Sequence, residues 1–194
     1  MTHHIRHRLP KLRATGDGTT RILVRDFSAR LSLLPRFPKA LRLCASALKI
    51  DRISPAIIIS IRSGFRTDGA SIPVPLRRFI GNPFDTVRLI AAVCHDAIYA
   101  THLVPRIVAD IIYYLALREC SHMPRAYAFA EYLALRAGGK DAWNEKTPES
   151  IAENRKLVRV RFKVFKWRSG GVKSGGVNSP TQKPIHSPTP PLTH

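Results

Sequence analysis

Residues 95–110 read HDAIYATHLVPRIVAD, and the folding of this stretch decides the architecture. Thr101-His102-Leu103-Val104-Pro105 is a short polar turn with Pro at its end. Helical spacing on both sides predicts helices over Asp85–Ala100 and Pro105–Cys120, and so short a connection makes them antiparallel neighbours. His95 and Asp110 are equidistant from the middle of the turn, so they face each other. Tyr99 and Arg106 form the same kind of pair one turn closer to the connection. Arg88, Ala92, His95 and Tyr99 are spaced four, three and four apart, a single helical stripe. Arg106, Asp110, Tyr113 and Leu117 form the matching stripe, and the small Ala92 lets the two helices approach closely.

A purely structural seam would be apolar; this one carries a histidine and a carboxylate. Burying them costs on the order of several kcal/mol unless they pair or bind something. Asp110 is placed to hold one ring nitrogen of His95, fixing its tautomer and leaving the other nitrogen to take a proton from water or a hydroxyl. Asp96 points about 100° round the helix from His95. It is a candidate ligand for a hard divalent cation such as Ca2+ beside the same water. The alternative is that His95 and Asp110 only lock the helices together, with Tyr99 as a packing residue whose hydroxyl is satisfied.

Outward from this pair, the other elements follow. Asp85 suits the N-cap of the first helix. Pro124–Ala137 reads as a third helix, stopped by Gly138-Gly139. Pro38–Ile50 carries Leu41, Ala45 and Leu48 at helical spacing, with Pro38 in the first turn. Arg21–Phe27 reads as one short strand, and the β-branched run Ala56–Ile61 as a buried strand. Thr147 caps a short helix to about Lys156. From Val158, apolar residues alternate with Arg159, Arg161 and Lys163, a period-two strand with a basic side. Residues 64–73, GFRTDGASIP, are turn-rich. There Ser71 is a candidate nucleophile toward His95 and Asp68 a candidate metal ligand or orienter, unless both side chains only cap turn amides. The expected fold is α+β: a small β part packed on a helical core, with the antiparallel pair carrying the His/Asp cluster. The expected divisions are a basic arm (1–20), a core domain (21–143), a basic helix–strand extension (144–168) and a disordered Pro/Ser/Gly-rich tail (169–194).

The chain has 194 residues and a net charge of +19, from 32 basic and 13 acidic side chains. Such a field attracts nucleic acid, anionic lipid or acidic protein surfaces. In 157–168, LVRVRFKVFKWR, basic residues interleave with Phe162, Phe165 and Trp167, which suits phosphate contact with stacking, an anionic bilayer, or an edge strand kept soluble. Three cysteines, Cys44, Cys94 and Cys120, form no CxxC pair, so structural zinc is not expected. The N-terminus lacks the apolar core of a secretory signal, and no apolar run spans a bilayer. A cytosolic location is expected.

GFRTDGASIP, then HDAIY at 95–99 and Ala109-Asp110, resembles a phage and prophage family known as domain of unknown function thirteen fifty-three, with its pattern GFxTDGASIP, HDxLY and AD. The resemblance covers about residues 56–139. It implies a phage context, with the host cytoplasm or the virion as location and phage structural proteins as partners, but no chemistry. HDxxY on one helix with Asp on the next is also similar to secreted and parvoviral phospholipases A2. That resemblance implies His95 as the base that activates water, Asp96 as a calcium ligand, Asp110 as the orienter of His95 and Tyr99 as a supporting hydroxyl.

Three functions fit these residues. One is a phage-encoded hydrolase using His95, Asp110 and a metal near Asp96, on an ester bond. Another is a non-catalytic virion or assembly protein whose polar cluster is structural and whose basic ends grip DNA or another subunit. The third is a nucleic-acid-binding host-takeover factor.

Overall fold

The computed structural model describes residues 8–16, 20–32, 38–49, 56–68 and 85–163. Six helices and two small antiparallel sheets are present among them. The α+β architecture with a helical core is the one the sequence leads to.

Two helices make the centre. α2 (Thr86–Tyr99) is buried at every position from Ile90 to Tyr99, and α3 (Arg106–Glu119) at nearly every position from Val108 to Leu117. A helix apolar almost all round belongs inside a domain. The two pack on each other across the turn at 100–105. His102 takes positive φ (46°) and its N–H bonds the Ile98 carbonyl at 2.9 Å, ending α2 in a left-handed C-terminal turn. The Thr101 hydroxyl adds a bond to the Ala97 carbonyl at 2.7 Å. Asp85 does sit at the N-cap, but its side chain caps nothing. Its carboxylate lies 3.6 Å from Arg88 Nη1 instead, and the backbone carbonyl of Asp85 starts the helix.

α4 (Arg125–Gly138) packs on α3, and α1 (Pro38–Leu48) also contacts α3. Two short helices follow, α5 (Lys140–Asn144) and α6 (Pro148–Leu157). Thr147 caps α6 as expected, accepting from Ser150 N at 3.3 Å.

The first sheet has the order β1 (Leu12–Ala14), β2 (Arg21–Leu23), β5 (Arg66–Thr67). The second has the order β3 (Phe27–Ser32), β4 (Ala56–Ile61), β6 (Val158–Lys163). In the second, Ala29 stands opposite Ile59 and Ile59 opposite Val160. Its inner face (Phe27, Ala29, Leu31, Ile57, Ile59, Ile61, Val158) is buried and joins the helical core. α3 lies against β3, and Glu119 Oε2 accepts the Ser32 N–H at 2.7 Å.

One expected strand is two. Arg21–Phe27 divides at 24–26, sending β2 to one sheet and β3 to the other. Val24 N bonds the Lys11 carbonyl (2.9 Å), Leu23 exchanges bonds with Phe65 and Gly64, and the Asp26 carboxylate takes the Ser63 N–H at 2.8 Å. A short acceptor side chain that captures a backbone donor competes with ladder pairing and turns the chain. The strand at 158–163 pairs with β4 along its whole length, so β6, entered directly from α6, belongs to the same sheet as β3 and β4. The cysteines are free thiols, Cys44 and Cys94 buried and Cys120 half-buried. Among the described residues no helix is long and apolar enough to cross a membrane.

Candidate functional site

The site sits on the seam between α2 and α3. His95 and Tyr99, one turn apart on α2, both reach Asp110 on α3. His95 Nε2 lies 3.1 Å from Asp110 Oδ1, and the Tyr99 hydroxyl donates to the same oxygen at 2.7 Å. The other oxygen, Oδ2, accepts from Arg136 Nη1 of α4 at 2.7 Å. His95 and Asp110 are completely buried. The rings of His95 and Tyr99 lie 4.0 Å apart, and Tyr113 meets His95 edge-on at 5.4 Å.

Because Asp110 is acceptor-only when ionised, the bond at Nε2 assigns the proton of neutral His95 to Nε2 and the lone pair to Nδ1. Nδ1 has no hydrogen-bond partner. It faces Asp96 Oδ1 at 4.0 Å, an ionic contact too long for a hydrogen bond, and that oxygen also has none. The second oxygen of Asp96 is taken by the hydroxyl of Thr67 on β5. A lone pair and a carboxylate oxygen thus confront each other, buried, with no donor between them. Such groups are rarely left unsatisfied in native proteins.

The charges follow from these contacts. Burial works against ionisation of Asp110, but the hydrogen bond and charge of His95, with Tyr99 and Arg136, hold its carboxyl below the usual carboxylate range. Burial lowers the His95 pKa, but Asp110 and then Asp96 outweigh it and leave it above the usual imidazole value. Asp96 is pushed up to about 6 by burial and by the charge of Asp68, against the pull of His95 and Thr67. Burial and Asp110 push the Tyr99 hydroxyl up, so it remains a donor.

Of the six residues singled out from the sequence, His95, Tyr99 and Asp110 come together, with the buried Asp96 on the Nδ1 side of His95. Asp68 is exposed on the strand end beside Thr67, near enough for its charge to act on Asp96. Ser71 lies outside the described residues. Among these, no three His, Cys, Asp or Glu side chains gather to hold a metal. Any cation there would rest on Asp96 and on oxygens of other kinds, such as hydroxyls and loop carbonyls.

The expected facing of the two stripes holds at His95 and Asp110, and a third helix, α4, supplies further partners along the seam. Glu131 of α4 bridges the two stripes, accepting from Arg88 Nε at 2.8 Å and from the Tyr113 hydroxyl at 2.8 Å. Arg106 turns to α4 and bonds the Arg136 carbonyl at 2.9 Å. The buried Glu131 carboxylate thus draws its donors from two elements, one oxygen bonded by α2 and the other by α3.

Three participants escaped the sequence reading. Thr67 immediately precedes Asp68, within the loop motif, and was legible as a polar neighbour. Arg136 is the basic residue of the last turn of α4, which any solvated helix end would carry. In the sequence Gly139 is part of a helix stop, but in the fold its role is close approach. A Cβ there would stand 2.7 Å from the Tyr99 hydroxyl and 2.7 Å from the Leu135 carbonyl.

The fold and site together define a small α+β domain built round a buried His/Asp network. Residues 45–134 match the model of a family described as protein of unknown function (DUF1353), and that segment carries α2, α3 and all of His95, Asp96, Tyr99 and Asp110. The resemblance drawn from GFRTDGASIP, HDAIY and Ala109-Asp110 is thereby borne out for this segment. No curated protein and no solved structure matches the chain.

Proposed function

We propose that this chain is a phage-encoded hydrolase of ester bonds, with His95 as general base toward water, Asp110 as its orienter and Asp96 as a ligand for a divalent cation such as Ca2+. The observation that supports the reading is the unsatisfied pair, His95 Nδ1 and Asp96 Oδ1, held 4.0 Å apart. On the Nε2 side every group is bonded, so the ring is fixed and only Nδ1 is free to act. Water attacking an ester carbonyl gives its proton to Nδ1. Asp110 steadies the resulting imidazolium, and Nδ1 returns the proton to the departing alkoxide as the C–O bond breaks. A divalent cation would be held by Asp96, with Asp68 and loop carbonyls as its further oxygen ligands, and would supply charge to stabilise the oxyanion. Ser71 is the alternative attacking hydroxyl.

A second reading has its own observation. His95 and Asp110 have no exposed surface at all, and Asp110 is satisfied by three donors from α2 and α4. In a non-catalytic virion or assembly protein the same network would serve only to lock the three helices. Thermal melts over a panel of divalent cations, for the wild type and Asp96→Asn, separate the two. A cation that binds only the folded state raises the midpoint. A Ca2+-specific rise that Asp96→Asn removes, with phospholipid ester turnover that His95→Gln abolishes in a folded protein, supports the hydrolase. No shift with any cation and no turnover leaves the structural reading.

A further inference from the structure

The solvent face of the β3–β4–β6 sheet is unlike the rest of the surface. Side chains alternate across a strand, so the residues opposite the buried set form rows over the outer face. Ser28, Ser60 and Arg159 share one row, and Arg30, Ile58 and Arg161 the next. Where the first row meets the end of α6, a groove of about 320 Å³ opens, lined by Ser28, Ser60, Arg62, Lys156, Arg159 and Arg161. Asp26 also lines it, but its Oδ1 is committed to the Ser63 amide at 2.8 Å. Lys156 has an exposed partner in Glu153 at 2.6 Å. Among the described residues no carboxylate pairs with Arg30, Arg62, Arg159 or Arg161, all of them exposed.

We propose that this face is a binding site for the phosphodiester backbone of nucleic acid. Four guanidiniums with no carboxylate partner among the described residues, beside the hydroxyls of Ser28 and Ser60, match the requirements of phosphate oxygens. Arginine forks bond them bidentately, and hydroxyls add neutral donors. The net charge of +19 supplies long-range attraction, and the face supplies the contacts. A bilayer is the poorer fit. Interfacial binders bury aromatic or aliphatic side chains among the lipids, and none of the large exposed hydrophobics of the described residues belongs to β3, β4 or β6. The same cations also keep β6, an edge strand, from pairing with other chains. That role would leave no trace in a binding measurement.

The test is fluorescence anisotropy of the full chain with labelled mixed-sequence duplex and single-stranded DNA, repeated between about 50 and 200 mM salt. Vesicles of phosphatidylglycerol and phosphatidylcholine are run in parallel. The wild type is expected to bind DNA with a steep negative slope of log affinity against log salt. R159S/R161S should flatten that slope by about 2, one phosphate contact per arginine. R159K/R161K should keep the slope, and R30S/R62S, on other strands, should flatten it as R159S/R161S does. That second pair carries the prediction if the β6 variant fails to fold. K39S/R42S, the same charge removed from exposed positions on α1, should leave the slope near wild type. The proposal is overturned if the wild type binds no DNA, or if all three serine pairs act equally. It is also overturned if the sheet variants leave the slope unchanged, or if only vesicles respond to them.

Discussion

Asp110 is the residue on which the seam depends, because it is a fully buried carboxylate shared by donors from α2 and α4. Asp110→Ala would leave His95, Tyr99 and the guanidinium of Arg136 without their acceptor. Removing one partner of a buried charged network costs about 3–5 kcal/mol. Urea unfolding should show this as a lower midpoint at unchanged slope. Arg136→Ala should cost less, since its side chain is 32% exposed and water replaces part of the contact. Gly139 makes a second prediction of a different kind. Its φ of −84° suits any residue, so space and not backbone freedom excludes a side chain. Gly139→Ala should cost about 1–3 kcal/mol through overpacking against Tyr99 and the Leu135 carbonyl. In a Tyr99→Phe background one of the two clashes disappears, so the cost should fall by at least about 0.5 kcal/mol in a double-mutant cycle. Equal costs in both backgrounds would show that the tyrosine hydroxyl does not set the space. His95, Tyr99 and Asp110 were legible from position alone, because helical spacing and a short turn determine which residues meet. Gly139 and Arg136 were not, since a helix stop and a basic last turn have ordinary uses that leave the same letters.

At the scale of elements, α2 and α3 form a titrating seam, and its pH dependence has a defined sign. The folded His95 pKa is raised, so its contribution is full below the ordinary imidazole value and is lost as pH climbs through the folded one. Asp96 at about 6 keeps a proton that the unfolded chain has already released, so between the ordinary carboxylate range and about 6 the fold also gains stability as pH falls. Asp110 works the other way. Its pKa is lowered, so its contribution is present above the ordinary carboxylate range and is lost as pH drops through the folded value. In chelator, Tm should therefore rise as pH is lowered from about 8 to about 5 and fall steeply below about 4. Asp96→Asn should remove part of the rise and leave the acid fall intact. A profile flat from neutral to pH 5 would contradict both shifts, that of Asp96 driven by burial and that of His95 driven by its carboxylate neighbours. The helices were legible because their apolar periodicity runs for many residues. The strands were less so: Arg21–Phe27 has a continuous β pattern, yet Asp26 and the pairing of Leu23 with the 64–65 turn split it between two sheets. Such a split depends on partners distant in sequence, which local spacing does not reveal. The basic strand at 158–163 was legible as a strand with a basic side, but its place beside β4, about a hundred residues earlier, was not.

For the whole molecule, the helical seam and the outer sheet face are separated by the inner face of the sheet. Ala29, Leu31, Ile57, Ile59 and Ile61 are buried there, and α3 packs against β3 on that side. A close-packed apolar layer, bridged by few polar contacts such as Glu119–Ser32, transmits little electrostatic change between its two sides, and distant sites without shared partners behave additively. Any Ca2+-dependent rise in Tm should therefore be the same in R159S/R161S as in the wild type. Conversely, the salt slope of DNA binding should be the same in Asp96→Asn as in the wild type. The cross-experiment is two melts and two salt titrations on the same four proteins: wild type, Asp96→Asn, R159S/R161S and the combination. If the combined variant shows the sum of the two single effects, the cation site and the nucleic-acid face are separate devices on one core. If Asp96→Asn flattens the salt slope, the two sites communicate. The helix–sheet contact between α3 and β3, with the Glu119–Ser32 bond that joins them, would then be the place to look for a shared conformational change.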